Sequence, residues 1–565
     1  MERLKNKYVV FFFMINFIVT SRAQFLPKDD AKLNYNQIYF EYPYNENAVF
    51  YKLFLAVDSC NNKTNFKTCL YNTYIDKTPA TRINELEFGK KYKWYVETNL
   101  KSGAKINSDI HYFTILKTHY TDTAQFKRKI NYNKKGKIKE GVIWCDFSHC
   151  AFDRNGNVVW FIPTEIMDYN EKRRIRDFKF QKDGTITFIK NPDALHTTID
   201  IKTIWKAPLG GENNYAYRDG YHHNFEKLPN GNYMALAYDY VELEKADKID
   251  TLTNRVELVN LLEFDENGEI VWMWEMRNHF PLDVLETPKD ADGRAIINAH
   301  CNAFSVDKDN KYVYIGYRDI SRVIKIEKST KKIVASYGKK LNKADSLVNE
   351  TNIFNFPHNA SILNDNQIMI LNNNDSRNGK ISSVEIFKQP KKITDKIKSS
   401  WSFKFDFDSL NSGKSFKLGN IKILDNGHFL INQGSNNRIV EITKNKEILW
   451  DMMIYRKDST LNKWVDFGSY KIDYSSSLYP FHFSVVTGKS TNEKSYFIIF
   501  NEGDYNDYYE FEIISSLDNK IITEGITKET KIGGKVKYCF LTQANASYKI
   551  KVTSKTSGKI KSINQ

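Results

Sequence analysis

The sequence predicts an all-β chain built around a six-bladed β-propeller, on three observations. Aromatic residues make up 14% of the chain, with 34 Tyr and 37 Phe, and such side chains favour strands. From about residue 140, short apolar runs alternate with polar turns such as Pro229-Asn-Gly-Asn232, Glu266-Asn-Gly-Glu269 and Asp425-Asn-Gly-His428. Asn-Gly pairs supply the positive φ that tight hairpin turns need. The hairpins then come in pairs, and two hairpins make the four strands of a propeller blade.

Taken in chain order, residues 1–23 read as a secretory signal peptide. A basic start leads into an apolar run from Tyr8 to Val19 and a small-residue end at Ser21-Arg22-Ala23. That run is short for a membrane span, and no later stretch is long enough for one. The mature chain is therefore expected to be exported, periplasmic or secreted, with no membrane span. Residues 24–125 form a first unit. Its Tyr92-Lys-Trp94-Tyr-Val96, Lys101-Ser-Gly103 and Tyr112-Phe-Thr-Ile115 resemble the last strands of a fibronectin-III/Ig-like β-sandwich.

Residues 140–495 carry the propeller pattern. Hairpin pairs fall at 175–190 with 198–207, 223–238 with 258–274, 300–317 with 323–337, 358–373 with 384 onward, and 420–433 with 438–452. The segment 141–162 is expected to join strands from about 475–500 to close a sixth blade, the blade number being open by one. Radial repetition at this spacing argues against a sandwich here. Residues 496–565 break the pattern and form a short C-terminal β module.

Charge and cysteine content narrow the function class. With 41% hydrophobic and 27% charged residues the composition is globular. The net charge of +15, from 83 basic and 68 acidic residues, is scattered along the chain. A nucleic-acid binder would cluster it. A solvated basic surface of this kind still draws anions toward a cleft. Six cysteines in an exported chain can form bridges. Cys60 with Cys69 and Cys145 with Cys150 are the nearest candidates, though spacing leaves the connectivity open. Cys145 and Cys150 have no second pair to complete a zinc ribbon.

Chemistry is expected at three histidines. His223, His300 and His358 each stand six or seven residues before their hairpin turn. Equivalent positions in a radial repeat converge on the axis. The matching places in other blades hold Arg176 or Asp177, and Asn420. A lone histidine is more often structural, but three at one repeat position are not independent accidents. His222 precedes His223 on the opposite strand face and remains the alternative to it. His149, His279 and His428 fall out of register and read as ordinary. Arg318, in Gly316-Tyr-Arg-Asp319, reaches the same mouth and suits an oxyanion; its bland reading is an ion pair with Asp319. Asn302 shares the face of His300, whereas Cys301 points away as a packed thiol.

These stretches resemble a known family. Gly220-Tyr-His-His-Asn-Phe-Glu-Lys-Leu-Pro-Asn-Gly-Asn232, Ala299-His-Cys-Asn-Ala303 with Tyr317-Arg318, and Phe356-Pro-His-Asn-Ala360 look like the three signature stretches of bacterial arylsulfate sulfotransferases. Tyr474-Ser-Ser-Ser-Leu-Tyr-Pro480 resembles the end of that family's propeller. The resemblance implies transfer of a sulfuryl group from a phenolic sulfate ester to a phenol through a sulfated histidine, without a nucleotide donor. By motif the nucleophile maps onto His358, and the other catalytic residues onto His223, His300 and Arg318. Asn302 matches a polar position next to the second histidine, and it and His222 are the substrate-binding candidates. Asn224, where relatives often have Asp, and Cys301 depart from the pattern and bear on substrate choice.

The implied partners are a phenolic sulfate donor and a phenolic acceptor. No nucleic acid, no metal and no cofactor is expected, and a homodimer is the assembly considered. Two rival readings are a histidine–metal hydrolase on the same scaffold and a non-catalytic binding propeller. The first wants a nearby carboxylate base, and no HExxH or comparable spacing occurs. Gly413-Lys-Ser415 echoes the end of a phosphate-binding loop, but position 408 is Asp where that motif requires Gly.

Overall fold

The computed structural model describes residues 25–58, 70–118, 126–163, 175–210, 220–242, 255–279, 299–340, 347–364, 366–458, 460–491, 494–542 and 546–564. The expected signal peptide and the Cys60–Cys69 bridge lie outside these residues. Throughout the described residues the chain is all-β, with a few short 3-10 turns and mostly antiparallel sheets.

In the first unit the strands Ala48–Val57 and Lys91–Leu100 pair side by side at the centre of a six-stranded sheet. Ile38–Glu41 and Ala80–Ile83 make a separate two-stranded sheet. Period-2 alternation turns Leu53, Leu55, Trp94, Val96 and Phe113 to one side, where they share a core with Ile38, Phe40 and Ile83. Phe126–Asn133 then leaves this unit and pairs with Ile448–Asp458 far along the chain.

Six sheets follow among the described residues; five are strand meanders in sequence order, and the sixth joins Val142–Cys145, Cys150–Phe152 and Val158–Phe161 to the much later Ile472–Ser475. Their lead strands are Ile175–Phe180, Tyr221–Lys227, Cys301–Val306, Pro357–Asn364, Asn420–Ile423 and Ile472–Ser475. Each lead strand touches the next, and Ile472–Ser475 touches both Asn420–Ile423 and Ile175–Phe180, so the round of contacts closes. The turns take the form the sequence indicates. Asp265 Oδ1 accepts from the amides of Asn267 at 2.9 Å and Glu269 at 2.8 Å, and Gly268 takes φ 86°, where a side chain would be strained.

The closing strand is Ile472–Ser475, which pairs with Val142–Cys145. The 475–500 stretch expected in that role instead supplies Phe483–Thr491 and Lys494–Asn501, which pair with each other, the second also pairing with Lys535–Leu541. Opposite them lies a four-stranded sheet of Tyr509–Ser515, Ile521–Ile526, Tyr548–Ser554 and Ile560–Asn564. Phe497, Ile499, Phe511, Ile513, Ile550 and Val552 pack between the two. Contacts tie this part to the first unit, among them Arg82 with Asp504 at 2.7 Å and the Tyr496 hydroxyl on Glu46 at 2.8 Å.

Cys145 and Cys150 face each other across two strands but are free thiols. Cys145 Sγ lies 2.7 Å from Ser469 Oγ, so the second bridge considered from the spacing is not formed. No helix among the described residues is long and apolar enough to cross a membrane.

Candidate active site

Bulges in the lead strands set the site's geometry. Along Tyr221–Lys227 the register jumps between His222 and Phe225, along Cys301–Val306 between Cys301 and Ala303, and along Pro357–Asn364 between His358 and Ser361. A bulge adds residues to one strand, bends it and re-aims its side chains. His223 (φ 60°) and Asn359 (φ 50°) take left-handed conformations there, and His300 (φ 50°) does so just before its strand, each at a cost of about 1–3 kcal/mol. By bulge register His222, not His223, stands level with His358. Arg176, before the jump in Ile175–Phe180, stands level with both.

The structure brings the three histidines together, two of them against the ring of Tyr470. His223 lies 5.5 Å from Tyr470 and His358 lies 5.2 Å from it, centroid to centroid, while His300 lies 5.1 Å from His223. His222 joins them: its Nδ1 is 2.6 Å from Nδ1 of His223, and its ring stacks on Tyr238 at 4.1 Å. Strict alternation would have put the two imidazoles on opposite faces, and the bulge removes that separation. The His222/His223 alternative is therefore not a choice, since both rings are in the cluster. Only one proton fits between the two Nδ1 atoms, so this pair is held with one donor and one acceptor.

His358 is the most tightly specified of the four. Its Nδ1 lies 2.7 Å from the carbonyl oxygen of Gly419. A carbonyl only accepts, so Nδ1 carries the proton and Nε2 keeps its lone pair. Burial pushes the His358 pKa well below the usual imidazole value, helped by the Lys471 charge, while the Gly419 bond opposes the shift. His223 is also pushed well below by burial and by its histidine neighbours. His222 falls to about 3, from burial and then the Arg176 charge. For His300 burial lowers the pKa while Asp319 works against it.

Arg318 lies close enough to His300 and His358 to act on both electrostatically. Its guanidinium bonds Asp319 and donates to Phe416 O at 2.9 Å, so the bland ion-pair reading is also realised. Its Nε is buried without a hydrogen-bond partner. Asn302 is buried and donates through Nδ2 to Pro357 O at 2.9 Å, tying its strand to that of His358. Cys301 is a packed thiol in the core with Tyr317, its pKa raised by burial. Outside the cluster, His428 pairs with Glu441 and His279 stacks on Trp274.

Sequence reasoning missed the floor of the site. The Tyr470 hydroxyl donates to Asn302 O at 2.9 Å. Lys471 Nζ bonds Asp177 at 2.8 Å, His223 O at 3.3 Å and the Asn224 side chain. Asp177 also accepts from Phe225 N at 2.7 Å and Lys179 at 2.8 Å. Asp146 accepts the amides of Asp177, Tyr470 and Lys471, and burial raises its pKa to about 7. The only signal for these residues was Asp177 at the matching repeat place. Among the described residues no group of three His, Cys, Asp or Glu side chains is arranged to hold a metal ion.

Comparison with known proteins gives one family. The arylsulfotransferase (ASST) family model matches residues 145–411. No curated protein matches the chain. Among solved structures, a protein of unknown function from Bacteroides caccae is 12% identical, covering 60% of this chain and 99% of its own, at TM-score 0.37. The hydrazine synthase of Kuenenia stuttgartiensis is 8% identical, covering 52% and 94%, at TM-score 0.27. The Cps50 (Swd1) β-propeller domain of Myceliophteria thermophila is 9% identical, covering 61% and 86%, at TM-score 0.23.

Proposed function

From the premise that the chain carries the arylsulfotransferase family's domain over residues 145–411, we propose that it moves a sulfuryl group from a phenolic sulfate ester to a phenol by a ping-pong route through sulfated His358. The observation that carries this is the pinned tautomer of His358. A neutral imidazole whose Nδ1 is held by Gly419 O presents Nε2 as a nucleophile.

In the first half-reaction Nε2 attacks sulfur, an N–S bond forms, and the S–O bond to the phenol breaks with its electrons on the leaving oxygen. Arg318, His223 and His300 stabilise the sulfuryl oxygens as that charge moves, while Asn302 and His222 line the substrate. His300, whose Nδ1 lies 3.8 Å from Asp319 Oδ2, is the group best placed to be charged, and it gives its proton to the leaving oxygen. In the second half it takes the acceptor's proton as the phenol oxygen attacks sulfur and Nε2 leaves. No cofactor enters the scheme.

The same reading extends to architecture. The closed round of six lead strands supports a six-bladed propeller, within residues 140–495. The two sheets of residues 24–125 with their shared core support a sandwich, and 496–565 form the terminal module, to which the pairing of Phe483–Thr491 adds an earlier strand. Residues 1–23 direct export to the periplasm or beyond. A homodimer is the assembly proposed.

The test is transfer of sulfate from 4-nitrophenyl sulfate to added phenol by the full chain, with mass spectrometry of the donor-treated enzyme. Transfer that vanishes in His358→Ala, with a sulfated His358 peptide in the wild type alone, supports the reading. Absence of both transfer and sulfated peptide removes it.

A further inference from the structure

Arg176 stands at the bulge position that His222 and His358 occupy in their own strands. Its guanidinium lies over the Tyr470 ring at 5.7 Å, the ring that His223 and His358 also meet. It interacts with the Tyr238 hydroxyl, and Tyr238 is the ring under His222. Its charge is felt by His222, His223 and His300 alike. Arg176 is therefore at the wall of the histidine cluster, acting on His222 and His223, with His300 felt by both Arg176 and Arg318.

The charge balance of the site gives this arginine its importance. Arg318 is compensated by Asp319. Lys471 and Lys179 are compensated by Asp177, with Glu226 beside Lys179. The imidazoles of His222, His223 and His358 are held toward neutrality by burial, and His300 faces Asp319. The partners of Arg176 are aromatic rings, and no carboxylate of a described residue forms an ion pair with it. A sulfate ester brings one negative charge into this buried cluster, and an unpaired buried anion is costly. Neutral histidines give it hydrogen bonds but no counter-charge.

We propose that Arg176 is a substrate-binding residue whose guanidinium, which pairs with no carboxylate among the described residues, takes the sulfuryl oxygens of the donor on the His222/His223 side. This deepens the sulfotransferase reading and rests on it for the identity of the anion. A planar guanidinium suits two oxygens of one sulfuryl group. The aromatic face of Tyr470 and the hydroxyl of Tyr238 hold it without neutralising it.

The experiment uses the full chain and inorganic sulfate as the probe, so binding is read apart from turnover. Isothermal titration at low salt is run on wild type, Arg176→Gln and Arg176→Lys, alongside the KM for 4-nitrophenyl sulfate. We expect Arg176→Gln to weaken sulfate binding, and to raise KM, by about tenfold or more, as loss of a charge-assisted bond implies. Arg176→Lys should recover part of both, and melting temperatures should stay close to wild type. Sulfate binding in Arg176→Gln equal to wild type overturns the proposal, as does wild type that binds no sulfate. If Arg176→Gln fails to fold, Arg176→Lys decides: unchanged affinity and unchanged KM overturn the bidentate role, and a partial loss supports it. Sulfate binding that depends on Arg176 in a chain with no transfer activity sinks the sulfotransferase reading and leaves the anion site standing.

Discussion

The Nδ1 atom of His358 and the carbonyl oxygen of Gly419 are 2.7 Å apart, and this one bond fixes which nitrogen of the imidazole faces the site. Gly419 has φ 98°, a conformation open to glycine. A Cβ built there would lie 2.6 Å from Asn432 O and 3.1 Å from Gly434 N. Gly419→Ala must therefore move backbone.

The expected outcome for Gly419→Ala is a loss of stability of about 1–4 kcal/mol together with a larger loss of sulfate transfer. Chemical denaturation and single-turnover rates measure the two. A variant destabilised in this range with an unchanged first-turnover rate would show that the carbonyl does not orient the nucleophile.

Acid should act through the buried histidines, and His222 isolates the effect. Its folded pKa of about 3 lies below the unfolded value of about 6.5. Between these values the unfolded chain binds the extra proton, so the contribution is fully present above pH 6.5 and is lost as pH falls toward 3. Asp146, raised to about 7, has the opposite sign: its folded form holds a proton that the unfolded chain releases, which destabilises the fold as pH rises from about 4 to 7. A comparison of wild type with His222→Gln cancels the carboxylate. The difference in unfolding free energy should move against the wild type by up to about 1.4 kcal/mol per pH unit below 6.5. Parallel pH–stability curves for the two proteins would contradict this.

The Asp177–Lys471 pair holds the bulge that carries His223. Asp177 is fully buried and receives Lys471, Lys179 and the Phe225 amide. Asp177→Asn leaves two ammonium groups undercompensated and should cost about 3–5 kcal/mol, read by denaturant unfolding. Removing the charge of Lys471 as well, in an Asp177→Asn/Lys471→Met double variant, should return part of that loss. Equal stability of the single and double variants would mean the pair is not coupled.

Much of this was legible in the residues. The Asn-Gly turns and the period-2 runs marked hairpins because their chemistry is local, and the near-equal spacing of His223, His300 and His358 from their turns pointed to one cluster, although by bulge register His222 and not His223 is level with His358. What was hidden depends on register or on distance. Alternation placed His222 away from His223, and the two added residues of the bulge cancelled it. The same break let Asn302 donate to Pro357 O across to the neighbouring strand. Asp146, Tyr470 and Lys471 carry no repeat signature. Their roles follow from pairing of residues 142–145 with 472–475, more than 300 positions apart, which no local pattern encodes. Arg176 was visible as an occupant of the matching place, but its setting against Tyr470, without an ion pair to any carboxylate among the described residues, is a property of the folded neighbourhood.

That closing pair also sets the order in which the molecule can be made. The indole of Trp144 donates to Ser475 across a separation of 331 residues, and closing so long a loop is slow because its entropy must be lost before the contacts repay it. Tyr470 and Lys471 stand just before Ile472–Ser475, the lead strand that closes the round. During synthesis, the strands bearing His223, His300 and His358 emerge well before the ring that organises them. A nascent or truncated chain ending before residue 470 would hold its imidazoles without their hub, so competence for chemistry is deferred until the last strand docks.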